Sequence, residues 1–130
     1  MKISYPEACG NSPRKCFLIE LHRAYAEGNF ELLVESAHAD IVWCLAGQWQ
    51  VEGRADYEAA LRKRRAEPVD ELIIEHVITH GREAAVSGRY RMADDWYCFA
   101  DIYVFTSTTS STLKSVQSLV TADTATTAAQ

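Results

Sequence analysis

Residues Trp96 to Phe105, WYCFADIYVF, are apolar at both sets of alternate positions yet carry one acid. Side chains alternate along a β-strand, so Tyr97, Phe99, Asp101, Tyr103 and Phe105 share one face while Trp96, Cys98, Ala100, Ile102 and Val104 share the other. Neither face suits water. A strand of this kind belongs in the middle of a fold, with a core or cavity on one side and helices or a second subunit on the other. Asp101 then stands in an aromatic row, where a carboxylate either finds a hydrogen-bonding partner or rises in pKa. It is the first candidate for chemistry in the chain.

Strand-like runs continue on both sides of this stretch. Leu72 to His80 (LIIEHVITH) and Ala84 to Met92 (AAVSGRYRM) precede it, and the connections His80-Gly81-Arg82 and Ala93-Asp94-Asp95 are short enough for antiparallel hairpins. A last strand, Leu113 to Val120, follows the Ser/Thr-rich link Thr106 to Thr112, which by composition is either a long hairpin turn or a mobile loop. Residues 122–130 lack apolar periodicity and read as a disordered tail.

The first half reads differently. Asn11 or Ser12 can cap a helix that has Pro13 in its first turn and Phe17, Leu18, Leu21, Ala24 and Tyr25 at helical spacing. Gly28-Asn29 stops it near Glu27, and a shorter amphipathic segment runs from Phe30 through Leu33, Val34 and Ala37. Ile41, Trp43 and Leu45, alternating with Val42 and Cys44, mark a strand; Trp49 to Val51 can return beside it. A third helix, from Ala55 to about Ala66, buries Tyr57, Ala60 and Leu61 and ends before Pro68. The order is two helices, a strand or small hairpin, a third helix and four antiparallel strands. That predicts an α+β fold in which three N-terminal helices pack on a curved, mostly antiparallel sheet. A sheet curved around a helix makes a cone with a partly filled interior. An internal pocket follows.

At 130 residues the chain fits a single domain, predicted over residues 11–121 with residues 1–10 as a loose N-terminal extension. The apolar runs are too short to span a bilayer, and Met1 to Gly10 lack the apolar core of a secretory leader, so the expected location is the cytoplasm. A net charge of −5 argues against a nucleic-acid partner. The basic run Arg62, Lys63, Arg64 and Arg65 reads as a solvated helix face, given the acids Asp56, Glu58 and Glu67 nearby. Cys9, Cys16, Cys44 and Cys98 lack paired metal spacing and read as buried thiols. No glycine-rich phosphate loop is present, and no cofactor is expected.

Four stretches in order, AYAEGNFELLVE (Ala24 to Glu35), HADIVWCLAG (His38 to Gly47), VEGRADYEAAL (Val51 to Leu61) and DIYVF (Asp101 to Phe105), resemble the nuclear transport factor 2-like (NTF2-like) superfamily, in particular its polyketide cyclase-like (SnoaL-like) branch. The resemblance implies a cystatin-like cone. It also implies a range of activities, since the superfamily includes ketosteroid isomerase, scytalone dehydratase, limonene epoxide hydrolase and polyketide cyclases beside members that only bind or dimerise. By motif, Asp101 matches the isomerase's pocket aspartate, which stays protonated and donates to the substrate oxygen. The match ends there. Leu45 stands where the isomerase has its proton-shuttling aspartate and Leu21 where it has a helix-one tyrosine, so steroid isomerisation is not expected.

His76 and His80 are four apart, which on a strand separates them by roughly 13 Å, too far to share a metal. No metal site is expected. Leu72, Ile74, His76, Ile78 and His80 share a predicted face, so His76 is either a pocket histidine or a satisfied core or interface histidine. His80 is expected at the surface, as are His22 and His38. Asp101 with Trp43, Leu45, Tyr57, Tyr90, Tyr97, Phe99 and Tyr103 makes the candidate pocket, with Asp101 and His76 as the catalytic candidates. The competing reading pairs Asp101 with Arg89, Arg91 or a backbone amide in a filled core. Trp96, Ile102 and Val104 form an apolar outer face that predicts a homodimer. Two functions remain open: a pocket for a small apolar or carbonyl-bearing molecule with proton-transfer chemistry of isomerase, dehydratase or cyclase type, or a non-catalytic dimeric binding module.

Overall fold

A computed structural model of the chain describes residues 1–7 and 12–124. Ser12 caps helix α1 (Pro13–Glu27), its hydroxyl accepting from the Lys15 N–H at 3.4 Å. Gly28 ends the helix in the left-handed conformation, φ 77°, a geometry that glycine adopts without the Cβ penalty other residues carry. Helix α2 (Glu31–Glu35) follows, then strand β2 (Ala37–Leu45), its antiparallel partner β3 (Trp49–Glu52) and helix α3 (Arg54–Arg64). Strands β4 (Val69–His80), β5 (Glu83–Met92), β6 (Asp95–Phe105) and β7 (Leu113–Ala122) form an antiparallel meander. The α+β prediction holds: among the described residues three helices pack on a curved, open sheet of seven strands, with β1 (Lys2–Ser4) at one edge, in the order β1-β4-β5-β6-β7-β2-β3.

Two expectations about the ends of the chain are corrected. Residues 1–10 are not merely a loose extension, because Lys2–Ser4 is strand β1 and pairs in parallel with β4, Ile3 opposite Leu72. The open edge of β4 supplies the hydrogen-bonding groups, and Ile3 packs against the core. At the other end β7 runs to Ala122, and the buried Asp123 donates its N–H to the Trp96 carbonyl at 2.9 Å. Residues 125–130 of the expected tail lie outside the described residues, as do Asn11 and Cys9. Cys44 and Cys98 are half-buried thiols rather than fully buried ones.

A close backbone contact and a bulge accompany the curvature. A Cβ placed on Gly88 of β5 would sit 2.0 Å from the Ile73 carbonyl oxygen, so the backbone of β4 crosses β5 more closely than any side chain allows. Beside this crossing β4 carries a bulge between Ile74 and His76. Bulges bend a strand and shift its alternation. Leu72 and Ile74 point into the core, and beyond the bulge Val77 takes the inward place while His76, Ile78 and His80 face out. The single face predicted for Leu72 through His80 is therefore split.

Helix α1 crosses the concave side of β4 and α3 packs on β2 and β3. Leu18, Leu21, Ile41, Leu61, Val86, Phe105 and Leu113 are fully buried between these layers. Arg14 closes one end of the cone. Its guanidinium donates to the carbonyls of Gly81 and Ser110, both at 2.6 Å, and lies 4.0 Å above the Phe105 ring. Ser107 accepts from the Ser110 N–H at 3.0 Å and Thr106 donates its N–H to the Thr112 carbonyl, so the Ser/Thr-rich link is a hydrogen-bonded hairpin turn.

Candidate functional site

Alternation along β6 points Phe99, Asp101 and Tyr103 into the concave side of the sheet, as the sequence predicts. Opposite Asp101 on β7 is Ser118, and from α1 come Leu21, His22 and Tyr25. Between them lies a cavity of about 80 Å³. Past Tyr25, Arg64, Tyr90 and Val120 it meets a recess of about 270 Å³, also lined by Tyr97 and Met92. A groove of about 700 Å³ between α3 and the β2–β3 hairpin shares Arg64 with both.

The polar groups of the cavity form one network. His22 Nε2 lies 2.8 Å from the Tyr103 hydroxyl and 3.5 Å from Asp101 Oδ2. The Ser118 and Tyr103 hydroxyls hydrogen-bond to the Asp101 carboxyl, and Trp43 Nε1–H donates to Ser118 Oγ at 2.9 Å. Aromatic rings hold these groups in place: Phe99 stacks on the His22 imidazole at 5.3 Å, and Tyr57 meets Trp43 edge-on at 5.5 Å.

Burial dominates the electrostatics. Desolvation raises the Asp101 pKa, against the opposing pull of His22, Ser118, Arg64 and Tyr103. It also lowers the pKa of His22, which the negative field of Asp101 opposes. The pair is thus pushed toward a neutral acid beside a neutral base rather than an ion pair. Desolvation lifts the phenols as well, Tyr25 to about 12 and Tyr57 and Tyr103 further, so all three remain protonated donors. A neutral carboxyl, an imidazole and hydroxyl donors around one hollow can bind an oxygen and move a proton to or from it.

Of the predicted pocket residues, Trp43, Tyr57, Tyr90, Phe99, Asp101 and Tyr103 converge on this cavity. Tyr97 lines the adjoining recess and Leu45 the groove beside α3. His76 is corrected: the bulge in β4 turns it to the outer surface, where it lies beside Lys15 and Glu75. Arg89 and Arg91 are not partners of Asp101, because they project from the opposite face toward Glu75 and Asp70.

His22, Tyr25, Ser118 and Arg64 were not anticipated. The expectation of a surface His22 fails because Leu18, His22 and Tyr25 fall at i, i+4 and i+7 on the inward stripe of α1. Tyr57, Leu61 and Arg64 repeat that spacing on α3, so Arg64 turns inward although Arg62 and Lys63 before it are exposed. Periodicity carries both signals; residue polarity hides them. Among the described residues no group of three His, Cys, Asp or Glu side chains is placed to hold a metal. No helix among them is long and apolar enough to cross a membrane.

The cone and its covering helices have the fold of solved NTF2-like and SnoaL-like proteins. The chain is similar to a candidate SnoaL-like polyketide cyclase from Shewanella denitrificans, with a TM-score of 0.71 and 16% identity over 92% of this chain and 97% of that one. It is also similar to the epoxide hydrolase/cyclase-like enzyme SalBIII, described in pyran ring formation in the polyether salinomycin, at TM-score 0.72 and 18% identity over 86% and 93% of the two chains. A steroid delta-isomerase from Pseudomonas aeruginosa superposes with TM-score 0.67 and 14% identity over 85% of this chain and 81% of that one. No family model matches the chain, and no curated protein matches it in sequence. Identities this low establish the fold alone.

Proposed function

We propose that this protein binds a small carbonyl- or hydroxyl-bearing molecule in the cone and transfers a proton to or from it, as an isomerase, dehydratase or cyclase does. The observation that carries the reading is the Asp101, His22 and Tyr103 cluster on the cavity wall. Burial favours the protonated form of Asp101, and in that form it donates to the ligand oxygen while negative charge develops there. Burial likewise favours the neutral form of His22, which sits beside that acid with Tyr103 at hydrogen-bonding distance. Burial shifts the two proton affinities toward each other, which lowers the cost of passing a proton between them.

Size restricts the ligand. About 80 Å³ is well below the few hundred Å³ that enclose a drug-sized molecule. Only a small molecule, or the reacting end of a larger one whose body lies in the 270 Å³ recess, fits beside Asp101. The test is hydrogen–deuterium exchange at carbon α to the carbonyl of small ketones, followed by NMR in heavy water. Wild-type protein is expected to accelerate exchange and Asp101→Asn to lose the acceleration; equal rates for the two proteins would remove the catalytic proposal.

The outer face of the sheet supports a second element of the reading, a homodimer. Ile78, Ile102 and Leu119 are 62%, 40% and 45% exposed on that face, adjoining Ala85, Ala100 and Val104. Trp96 lies under the Arg89 guanidinium at 5.6 Å. A second copy placing the same patch against this one would bury both through a two-fold contact. A dimeric module that binds without catalysis rests on the same face and is the outcome if exchange is not accelerated.

A further inference from the structure

The basic run at the end of α3 does three different things. Arg62 pairs with Glu58 at 2.9 Å and lies over the Phe30 ring. Arg65 turns back to the Ala26 carbonyl, donating from Nε at 3.1 Å and from a terminal nitrogen at 2.9 Å, and so closes the end of α1. Arg64 does neither. It enters the wall shared by the deep cavity, the recess and the groove, and its side chain hydrogen-bonds to the Tyr90 hydroxyl.

No ion pair involves Arg64 among the described residues. Its surroundings in the recess are Tyr25, Gln48, Tyr90, Met92 and Tyr97, all uncharged side chains. A half-buried guanidinium that feels Asp101 only at a distance, with no carboxylate in direct contact, carries a desolvation cost that an anion would offset. Among the described residues, Arg64 is the only lysine or arginine on the walls of the cavity and the recess.

We propose that Arg64 is the anion-binding residue of this site and that the ligand is a small carboxylate, its charged end held at Arg64 while its carbonyl or hydroxyl end reaches Asp101. The inference rests on the cavity being a ligand site, and it adds the chemical class of the ligand. The planar guanidinium fork matches a carboxylate with two parallel hydrogen bonds. A phosphate monoester, with close to two charges, would require a second cation. Lys63 lines only the outer groove, so a monoanion is the charge that fits.

Benzoate and its neutral counterpart benzamide are the probes, titrated by calorimetry. Wild-type protein is expected to bind benzoate about tenfold more tightly than benzamide, the worth of a charge-assisted pair at a partly screened site. Arg64→Gln brings the two affinities together by weakening benzoate alone, and Arg64→Lys retains part of the difference. Equal affinities in wild type, a preference that survives Arg64→Gln, or no benzoate binding at millimolar concentration overturns the proposal. The wild-type ratio decides the matter even if Arg64→Gln does not fold. The ratio is expected to persist in Asp101→Asn, so loss of proton exchange and loss of carboxylate preference are separate failures.

Discussion

The Tyr103 hydroxyl on strand β6 lies 2.8 Å from Nε2 of His22 on helix α1, a contact between residues 81 positions apart that ties the helix to the cavity wall. Both groups are buried, so each is the other's replacement for water. His22→Phe keeps an aromatic ring against Phe99 but removes that partner. A loss of about 1–2 kcal/mol is expected by urea denaturation, and a double-mutant cycle with Tyr103→Phe should give less than the sum of the single losses. Additive losses would show that the contact contributes nothing of its own.

Asp101 makes stability depend on pH in a defined direction. Its pKa is raised in the folded protein above the ordinary 3.8, so the folded state holds the proton more tightly than the unfolded chain. That contribution is fully present below 3.8 and is lost as pH rises through the folded pKa. Asp101→Asn cannot ionise. The variant should therefore gain on wild type as pH rises from about 4, by at most about 1.4 kcal/mol per pH unit, and then level off. His22 acts oppositely: with its pKa lowered from 6.5, the stability it contributes is present above that value and lost as pH falls through the folded pKa. Denaturation midpoints across this pH range check both slopes.

Gly88→Ala should be among the most damaging single substitutions in the sheet. The added methyl meets the Ile73 carbonyl oxygen at 2.0 Å, a backbone atom that cannot rotate away. Relief requires β4 and β5 to separate at the bulge, with a cost of about 3 kcal/mol or more. Thermal melting reads the effect; a melting temperature within a degree or so of wild type would contradict the close contact at Gly88.

Ile102→Asp together with Leu119→Asp should yield a monomer that keeps its fold. Both side chains are substantially exposed on the outer face, so the charges cost little in the isolated subunit and much in a paired one. Sedimentation at micromolar concentration distinguishes the two. A wild type that is already monomeric at that concentration removes the dimer proposal.

Much of the architecture could be read before any coordinates. The inward row of β6, the hairpins on either side of it and the caps of α1 depend on local chemistry: alternation, turn residues, and a serine ahead of a proline. Asp101 was identified by the same local logic, as an acid in an aromatic row. Strand β1 was missed because three residues have no periodicity to show, and they are a strand only because β4 offers an open edge.

The candidate site divides along the same line. The amino-acid sequence by itself determined which side chains of β6 share a face, and with them the acid and most of its aromatic lining. Only the tertiary structure decided what surrounds the acid, because His22 and Arg64 come from helices α1 and α3 and Ser118 from the facing position of β7. The curved sheet carries a close backbone contact at Gly88 and a bulge before His76. One extra residue in a strand reverses every side chain beyond it, which is why the histidine in the cavity is His22 and not His76.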